Sequence, residues 1–188
     1  MNKVEMRRLM QQKLKEVPSD VMGRWSSEIA VHLYNLHDWV EADTIGITIS
    51  RSREVDTRAI IEKGWGLGKR IVVPKCEPET RGMTFRVLQS FEQLEVVYYG
   101  LEEPKEAETK AISLNEIDLL IVPGLVYNKT GYRVGFGGGY YDRFLSNYNG
   151  RTAALAFEVQ LVEELPIEPH DMPVDSIITN EQVVLCRS

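Results

Sequence analysis

One stretch combines residue types and spacing that suit work on a phosphate: Asn128-Lys-Thr-Gly-Tyr-Arg-Val-Gly-Phe-Gly-Gly-Gly-Tyr-Tyr-Asp-Arg-Phe-Leu145. Gly131, Gly135, Gly137, Gly138 and Gly139 crowd into this window. Glycine is entropically poor at holding a chain still, so such density implies a backbone that bends tightly or meets a ligand closely. The preceding run, Ile117 to Val122, reads as a buried strand ending at Pro123-Gly124, and Tyr140 onward reads as a helix start. A strand, a glycine loop and a helix start offer backbone N–H groups and a helix dipole to a phosphate. The same pattern also suits an ordinary tight turn. It is not a P-loop, because no Lys-Ser/Thr follows, and the glycine spacing is wrong for a dinucleotide fingerprint. Arg133 adds a planar cationic fork matched to phosphate oxygens. Asp142 stands where a carboxylate would hold hydrated Mg²⁺ against those phosphates, or where a first-turn acid complements the helix dipole.

The elements that must position these groups follow from periodicity. Asn2 to about Glu16 reads as a helix, with Val4, Leu9 and Leu14 as a partial apolar stripe and basic residues between. After the Val17-Pro18 break, Ser19 is placed to cap a second helix reaching about Tyr34, with Val21, Trp25, Ile29 and Leu33 at helical spacing. Lys3 and Arg7 share one helix face at i, i+4: either a solvated face or a pair that grips one polyphosphate. Thr44 to Ile49 reads as a strand, Ser50 to Asp56 as a polar loop, and Thr57 or Asp56 as the cap of a helix to about Trp65. Open α/β sheets bind ligands at such strand ends, and Glu54 and Asp56 there read as solvated loop acids.

Further strands are expected at Arg70–Pro74, Met83–Val87, Thr152–Phe157, Ser176–Thr179 and Gln182–Cys186, with helices at Tyr140–Tyr148 and Glu158–Glu164. Phe85, Tyr98 and Tyr99 read as core aromatics, Gly100 to Pro104 as a loop, and Glu102 to Lys110 as exposed. The proline-rich Pro166–Pro173 loop brings His170, Asp171 and, just beyond it, Asp175. Asp142 and Asp171 together would meet the carboxylate requirement of Mg²⁺, which takes one or two such ligands plus phosphates and waters. No repeat or linker divides the chain. The fold class expected is α/β: one domain, residues 1–188, with a mostly parallel Rossmann-like sheet, helices on both faces and an antiparallel C-terminal strand pair.

Composition narrows the function classes. A net charge of −6 argues against a general nucleic-acid binder while leaving room for a local basic pocket. Cys76 and Cys186 make neither a disulfide framework nor a metal cluster, which points to a reducing, cytoplasmic setting. No apolar signal region or membrane-length run is present, so no membrane partner is expected.

Arg133-Val-Gly-Phe-Gly-Gly-Gly-Tyr-Tyr-Asp-Arg-Phe-Leu145, preceded by Leu120-Ile-Val-Pro-Gly124, resembles the 5-formyltetrahydrofolate cyclo-ligase (methenyltetrahydrofolate synthetase) family. Other segments agree in order: Lys3-x-x-x-Arg7, Glu54-Val-Asp-Thr57, Gly68-Lys-Arg-Ile-Val-Val-Pro74, Ala156-Phe-Glu-Val-Gln160 and His170-Asp-Met-Pro-Val-Asp175. The resemblance implies an ATP- and Mg²⁺-dependent ligase that closes 5-formyltetrahydrofolate to 5,10-methenyltetrahydrofolate; a monomer is expected. It implies ATP contacts from Lys3, Arg7, Arg133, Val134, Gly135, Phe136, Gly137, Gly138, Gly139, Tyr140 and Tyr141. Folate contacts would come from Ile49, Glu54, Phe136 and Tyr140, metal contacts from Asp142 and Asp171, and catalytic positioning from Arg133 and Tyr140. A carboxylate at Glu54 suits the adjacent N–H donors of a pterin.

The chain departs from some relatives by placing Phe136 and Gly138 where they carry basic residues. Less charge is then aimed at the phosphate or the folate tail, and Arg51, Arg53 and Lys129 are the remaining candidates for the folate glutamate. Two rival readings are a sugar-phosphate isomerase or acyl transferase on a similar scaffold, which would ignore ATP, and a non-catalytic nucleotide-binding module, which would leave the folate unchanged.

Overall fold

Strand residues that are apolar on both sides decide the architecture. The computed structural model describes residues 1–186. Helices α1 (Lys3–Glu16), α2 (Ser19–Tyr34) and α3 (His37–Glu41) lead into β1 (Thr44–Gly46). Helix α4 (Arg58–Gly66) connects to β2 (Arg70–Glu77) and β3 (Gly82–Val87). A small antiparallel pair follows, β4 (Leu94–Val96) with β5 (Glu102–Pro104), and then β6 (Leu119–Ile121). The two-residue strands β7 (Val126–Tyr127) and β8 (Arg133–Val134) form a hairpin ahead of α5 (Tyr140–Leu145). The chain closes through β9 (Arg151–Leu155), β10 (Ser176–Ile178) and β11 (Val183–Leu185).

The main sheet runs β11-β10-β9-β6-β1-β2-β3. Its five inner strands are parallel, and both edge strands, β3 and β11, are antiparallel. The C-terminal pair was expected; the β2–β3 pair was not expected to be antiparallel. Strand β2 also runs past Pro74, where the sequence suggested a stop. Its β1 partner has already ended at Gly46, paired with Val72, so the missing N–H interrupts no β1 ladder.

Alternate strand residues feed two cores. Ile71, Val73, Leu119, Ile121, Ala153 and Ile178 meet helices α1 to α4, whereas Val72, Leu120, Ala154 and Ile177 meet Leu145 at the end of α5. Helices therefore cover both faces, but unequally. Leu119, Leu120 and Ile71 are essentially sealed from solvent, and each such residue contributes about 1.5–3 kcal/mol by burial.

The order of the inner strands locates the ligand crevice. From β1 the chain moves outward through α4 to β2, and from β6 it moves outward the opposite way through α5 to β9. The loops after β1 and β6 thus diverge between two adjacent strands, the switch point at which open α/β sheets take ligands.

Local expectations fail where helix ends are concerned. Pro18, not Ser19, is the N-cap of α2, and no side chain caps it. Thr57 does not cap α4 with its hydroxyl; Asp56 Oδ1 accepts the Arg58 N–H instead, at 3.0 Å. Helix α5 stops at Leu145, and Tyr148 turns inward so that its hydroxyl donates to the carbonyls of Ile117 and Arg151. Only a short 3-10 turn, Glu158–Gln160, forms where a longer helix was read. Tyr98 and Tyr99 are not core: they lie 46% and 88% exposed at the tip of the β4–β5 pair. Glu103, read as exposed, is 4% exposed; its Oε2 accepts the Cys76 N–H at 2.9 Å and its Oε1 lies 3.5 Å from Lys75 Nζ.

Candidate active site

Two adjoining cavities occupy the switch point, of about 740 Å³ and about 490 Å³. They share Thr48, Arg51 and Glu54 from the loop after β1, and Pro123 and Phe136 from the loop after β6.

The glycine loop walls the larger cavity. Gly137 and Gly139 have φ of +105° and +74°, a region that L side chains rarely adopt, so glycine is required there by backbone shape. Among the described residues, none of the amides of residues 135–139 donates to a protein acceptor. A run of unsatisfied N–H groups in such a conformation makes an anion-binding concavity. The loop is braced from outside. Arg7 Nε donates to the Gly135 carbonyl at 2.8 Å, and Arg81 Nη1 donates to the Gly138 carbonyl at 3.1 Å. The Arg81 guanidinium also lies 5.7 Å from the Tyr140 ring centroid.

Arg133 is not a free cation. Its guanidinium is 5% exposed and donates to the Met172 carbonyl at 3.0 Å and to Asp142 Oδ1 at 3.2 Å. Asp142 Oδ1 also accepts the Met172 N–H at 3.3 Å. This bracket ties the start of α5 to the proline-rich loop. Asp171 Oδ2 accepts the Glu168 N–H at 2.8 Å and meets Lys3 Nζ at 3.3 Å. Lys3 also lies 3.5 Å from Glu168, and His170 Nε2 lies 3.2 Å from Glu168 and 3.5 Å from Asp171. No protein donor meets Asp142 Oδ2 among the described residues. The larger cavity is lined by six carboxylates against four Lys and Arg cations. Glu102 and Glu103 are paired with Arg58 and Lys75, whereas Asp142 Oδ2 is open, so the carboxylates Asp142 and Asp171 fit a hard divalent ion that brings its own phosphate and water ligands.

The loop after β1 is held by its own side chains. Ser50 N–H donates to Thr57 Oγ1 at 2.8 Å, Thr57 N–H to Ser50 Oγ at 3.0 Å, and Thr57 Oγ1 to the Thr48 carbonyl at 2.7 Å. Glu54 Oε1 accepts the Arg51 N–H at 2.6 Å. Glu54 keeps some solvent contact, yet protein surrounds most of it. That desolvation raises its carboxyl above the ordinary 4.5, with the Arg51 N–H and charge opposing the shift. Arg51 Nη2 donates to the Tyr99 carbonyl, carrying the β4–β5 tip to the cavity rim. Arg53 is committed elsewhere, donating to the Val17 carbonyl at 2.5 Å.

The larger cavity therefore gathers Lys3, Arg7, Ile49, Glu54, Arg133, Gly135, Phe136, Gly137, Gly138, Gly139, Tyr140, Tyr141, Asp142 and Asp171. It does not gather Val134, whose side chain is 1% exposed within the core. Lys129 lines neither cavity. Asp175 serves the frame, its Oδ2 accepting the Thr152 N–H at 3.0 Å. Tyr141 packs its ring against the second core and leaves its hydroxyl buried without a protein partner. Among the described residues no group of three or more His, Cys, Asp or Glu is arranged to hold a metal without other ligands.

Sequence reasoning missed Arg81, Tyr98 and Tyr99 as cavity neighbours. Arg81 sits in the turn between β2 and β3, far from the glycine loop in sequence, and no local pattern reveals that reach. The exposed Gly100 turn beside the tyrosines was a usable signal for the tip.

A family model described as the 5-formyltetrahydrofolate cyclo-ligase family matches residues 1–180. The 5-formyltetrahydrofolate cyclo-ligase of Escherichia coli (strain K12) is 31% identical over 180 residues, covering 93% of this chain and 98% of the relative. The mouse (Mus musculus) enzyme of that name is 28% identical, covering 90% of this chain and 89% of the relative. The solved structure of Aquifex aeolicus 5,10-methenyltetrahydrofolate synthetase superimposes with a TM-score of 0.88 at 28% identity, over 100% of this chain and 94% of that one.

Proposed function

The chain belongs to the 5-formyltetrahydrofolate cyclo-ligase family, and from that premise we propose that it converts 5-formyltetrahydrofolate and ATP to 5,10-methenyltetrahydrofolate, ADP and phosphate. The observation that carries the reading is a single cavity lined both by the glycine loop, whose amides at 135–139 have no protein acceptor among the described residues, and by Ile49 and Glu54 at the switch point. One wall suits a polyphosphate and the other suits a pterin, and the two ligands would meet within one chamber.

In this scheme the formyl oxygen attacks the γ-phosphorus and ADP leaves. The N5-formyl group becomes an iminium phosphate. N10 then forms a bond to that carbon and loses its proton, and the C–O bond breaks to release phosphate. The product is the methenyl cation. No protein nucleophile enters, so the residues align and neutralise. The free N–H groups of the glycine loop and Arg7 would receive the phosphates. Glu54 Oε2 would accept pterin N–H groups while its other oxygen stays on Arg51. Arg133 would hold Asp142 in place rather than touch phosphate, a change of role from the catalytic cation expected. Asp142 and Asp171 would hold Mg²⁺, which when bound supplies charge neutralisation on the phosphates. Tyr140 would flank the reacting groups.

Free cysteines and the lack, among the described residues, of a helix long and apolar enough to cross a membrane suit a cytoplasmic setting, and a monomer is the assembly proposed. The test is spectrophotometric. The methenyl chromophore should develop with ATP and Mg²⁺ and not without ATP. A thermal shift with ATP but no chromophore would support a binding module instead, and no shift at all would support an ATP-independent enzyme.

A further inference from the structure

The turn between β2 and β3 and the segment leading into α5 exchange two arginines. Arg81 Nη1 donates to the Gly138 carbonyl at 3.1 Å, and Arg143 Nη1 donates back to the Thr80 carbonyl at 3.1 Å. Arg81 has a φ of +61°, which a side chain of its kind rarely adopts, and its N–H donates to the Glu77 carbonyl at 2.8 Å. Gly138 and Gly139 line the larger cavity and Arg81 does not. The Gly138 carbonyl is therefore drawn away from the cavity. In a trans peptide the carbonyl and the next N–H point to opposite sides, so the bond to Arg81 turns the Gly139 N–H towards the cavity. Among the described residues no other hydrogen bond holds that peptide. Glycine on both sides leaves it free to flip, and the flipped form would offer a carbonyl oxygen to an anion. A side chain cannot stiffen position 138, where a Cβ would stand 2.8 Å from the Tyr140 ring that Arg81 itself overlies.

Resting on the cyclisation reading above, we infer that Arg81 is a positioning residue for ATP: it holds the Gly138–Gly139 peptide with its N–H facing the phosphates. It acts through Gly139 and lines neither cavity itself. Arg143 bridges the same two segments yet bonds no atom of residues 135–139. The two arginines therefore separate alignment of the peptide from simple stapling of the turn to α5.

The probes are ATP–Mg²⁺ and adenosine, titrated calorimetrically into the full chain, with steady-state cyclisation measured beside them. Arg81→Asn keeps a residue type that tolerates a positive φ and removes the guanidinium. It should weaken ATP–Mg²⁺ binding and raise the KM for ATP about ten-fold, as for a lost charged hydrogen bond, with kcat and the KM for folate nearly unchanged. Adenosine affinity should not move. Arg81→Lys, which keeps a cationic donor, should recover most of the loss, and Arg143→Ala should leave ATP affinity unchanged. Arg81 is exposed, and a matching melting temperature in each variant confirms the fold. An Arg81→Asn protein with unaltered ATP affinity overturns the inference, as does an equal loss in Arg143→Ala, which would make both arginines staples. A loss confined to kcat or to folate, or one that adenosine shares, also overturns it. Absence of ATP–Mg²⁺ binding to the unaltered protein overturns both this inference and the proposed reaction. An unaltered protein that binds ATP–Mg²⁺ through Arg81 but forms no methenyl product upholds this inference and defeats the proposed reaction.

Discussion

The loops after β1 and β6 flank the same crevice but are built on opposite principles. The first is closed by its own side chains, through the Ser50–Thr57 exchange, the Thr57 bond to Thr48 and the Glu54 bond to Arg51. The second leaves its amides empty at 135–139 and is braced by Arg7 and Arg81 from remote segments. A self-bonded loop presents a finished shape, which suits a rigid bicyclic ligand. An unsatisfied loop is completed by what it binds, which suits a phosphate with many acceptors. A loop complete in itself and a loop short of partners thus sit side by side.

The largest effect expected on this contrast is at Asp142. Asp142→Asn can keep the Oδ1 bonds to Arg133 and Met172, yet removes the charge. Turnover should fall about 100-fold across a Mg²⁺ titration with the melting temperature preserved, in line with losses on removing a group that stabilises reacting charge. Unchanged turnover would leave Asp142 as a bracket for Arg133 alone.

Glu54→Gln should weaken folate binding about ten-fold, as expected for a lost charged hydrogen bond, and leave ATP affinity intact. Its pH behaviour sharpens the point. Burial raises the Glu54 carboxyl above 4.5, so folding takes up a proton between 4.5 and the raised value. Stability contributed by this group is full below 4.5 and is lost as pH climbs through that window. On the proposed assignment of Glu54 to the pterin, folate binding should run the other way and strengthen over the same window. Both slopes should vanish in the glutamine variant, as followed by melting curves and by calorimetry. A fall in ATP affinity instead would reverse the assignment of the two walls.

A smaller effect lies in hydrogen exchange. Amides at 135–139 should exchange fast in the free protein and become protected by ATP–Mg²⁺, while those of Ser50 and Thr57 stay slow in both states. Equal protection in the two loops would erase the distinction. The least change is expected from thiol reagents. Burial, with Glu103 adding to it, pushes the Cys76 thiol up to about 12, so near neutral pH it stays protonated and reacts slowly. Rapid loss of activity with iodoacetamide at neutral pH would contradict this.

Much of the scaffold was legible because periodicity is a local property. The apolar run at Ile117 to Val122, the stripe of α2 and the closing strand pair all carry their pattern within a few residues. The β7–β8 hairpin escaped because two-residue strands have no period to read. Tyr98 and Tyr99 were misread because alternation tells which face is apolar, not whether anything covers it. Lys3, Arg7, Glu54 and the glycines carry their chemistry in the sequence, and the structure brings them to one cavity. The burial of Arg133 and of Val134 was not legible, since it depends on Met172 and on neighbours across the sheet. The smaller cavity was invisible for the same reason, being assembled from α1, both switch-point loops and β9.

The Lys3–Asp171 contact spans 168 positions of chain. A nascent polypeptide emerging from the ribosome therefore exposes this lysine long before the aspartate exists. This ion pair forms only after the segment carrying Asp171 has been made, so the side of the pocket it closes is completed much later than α1.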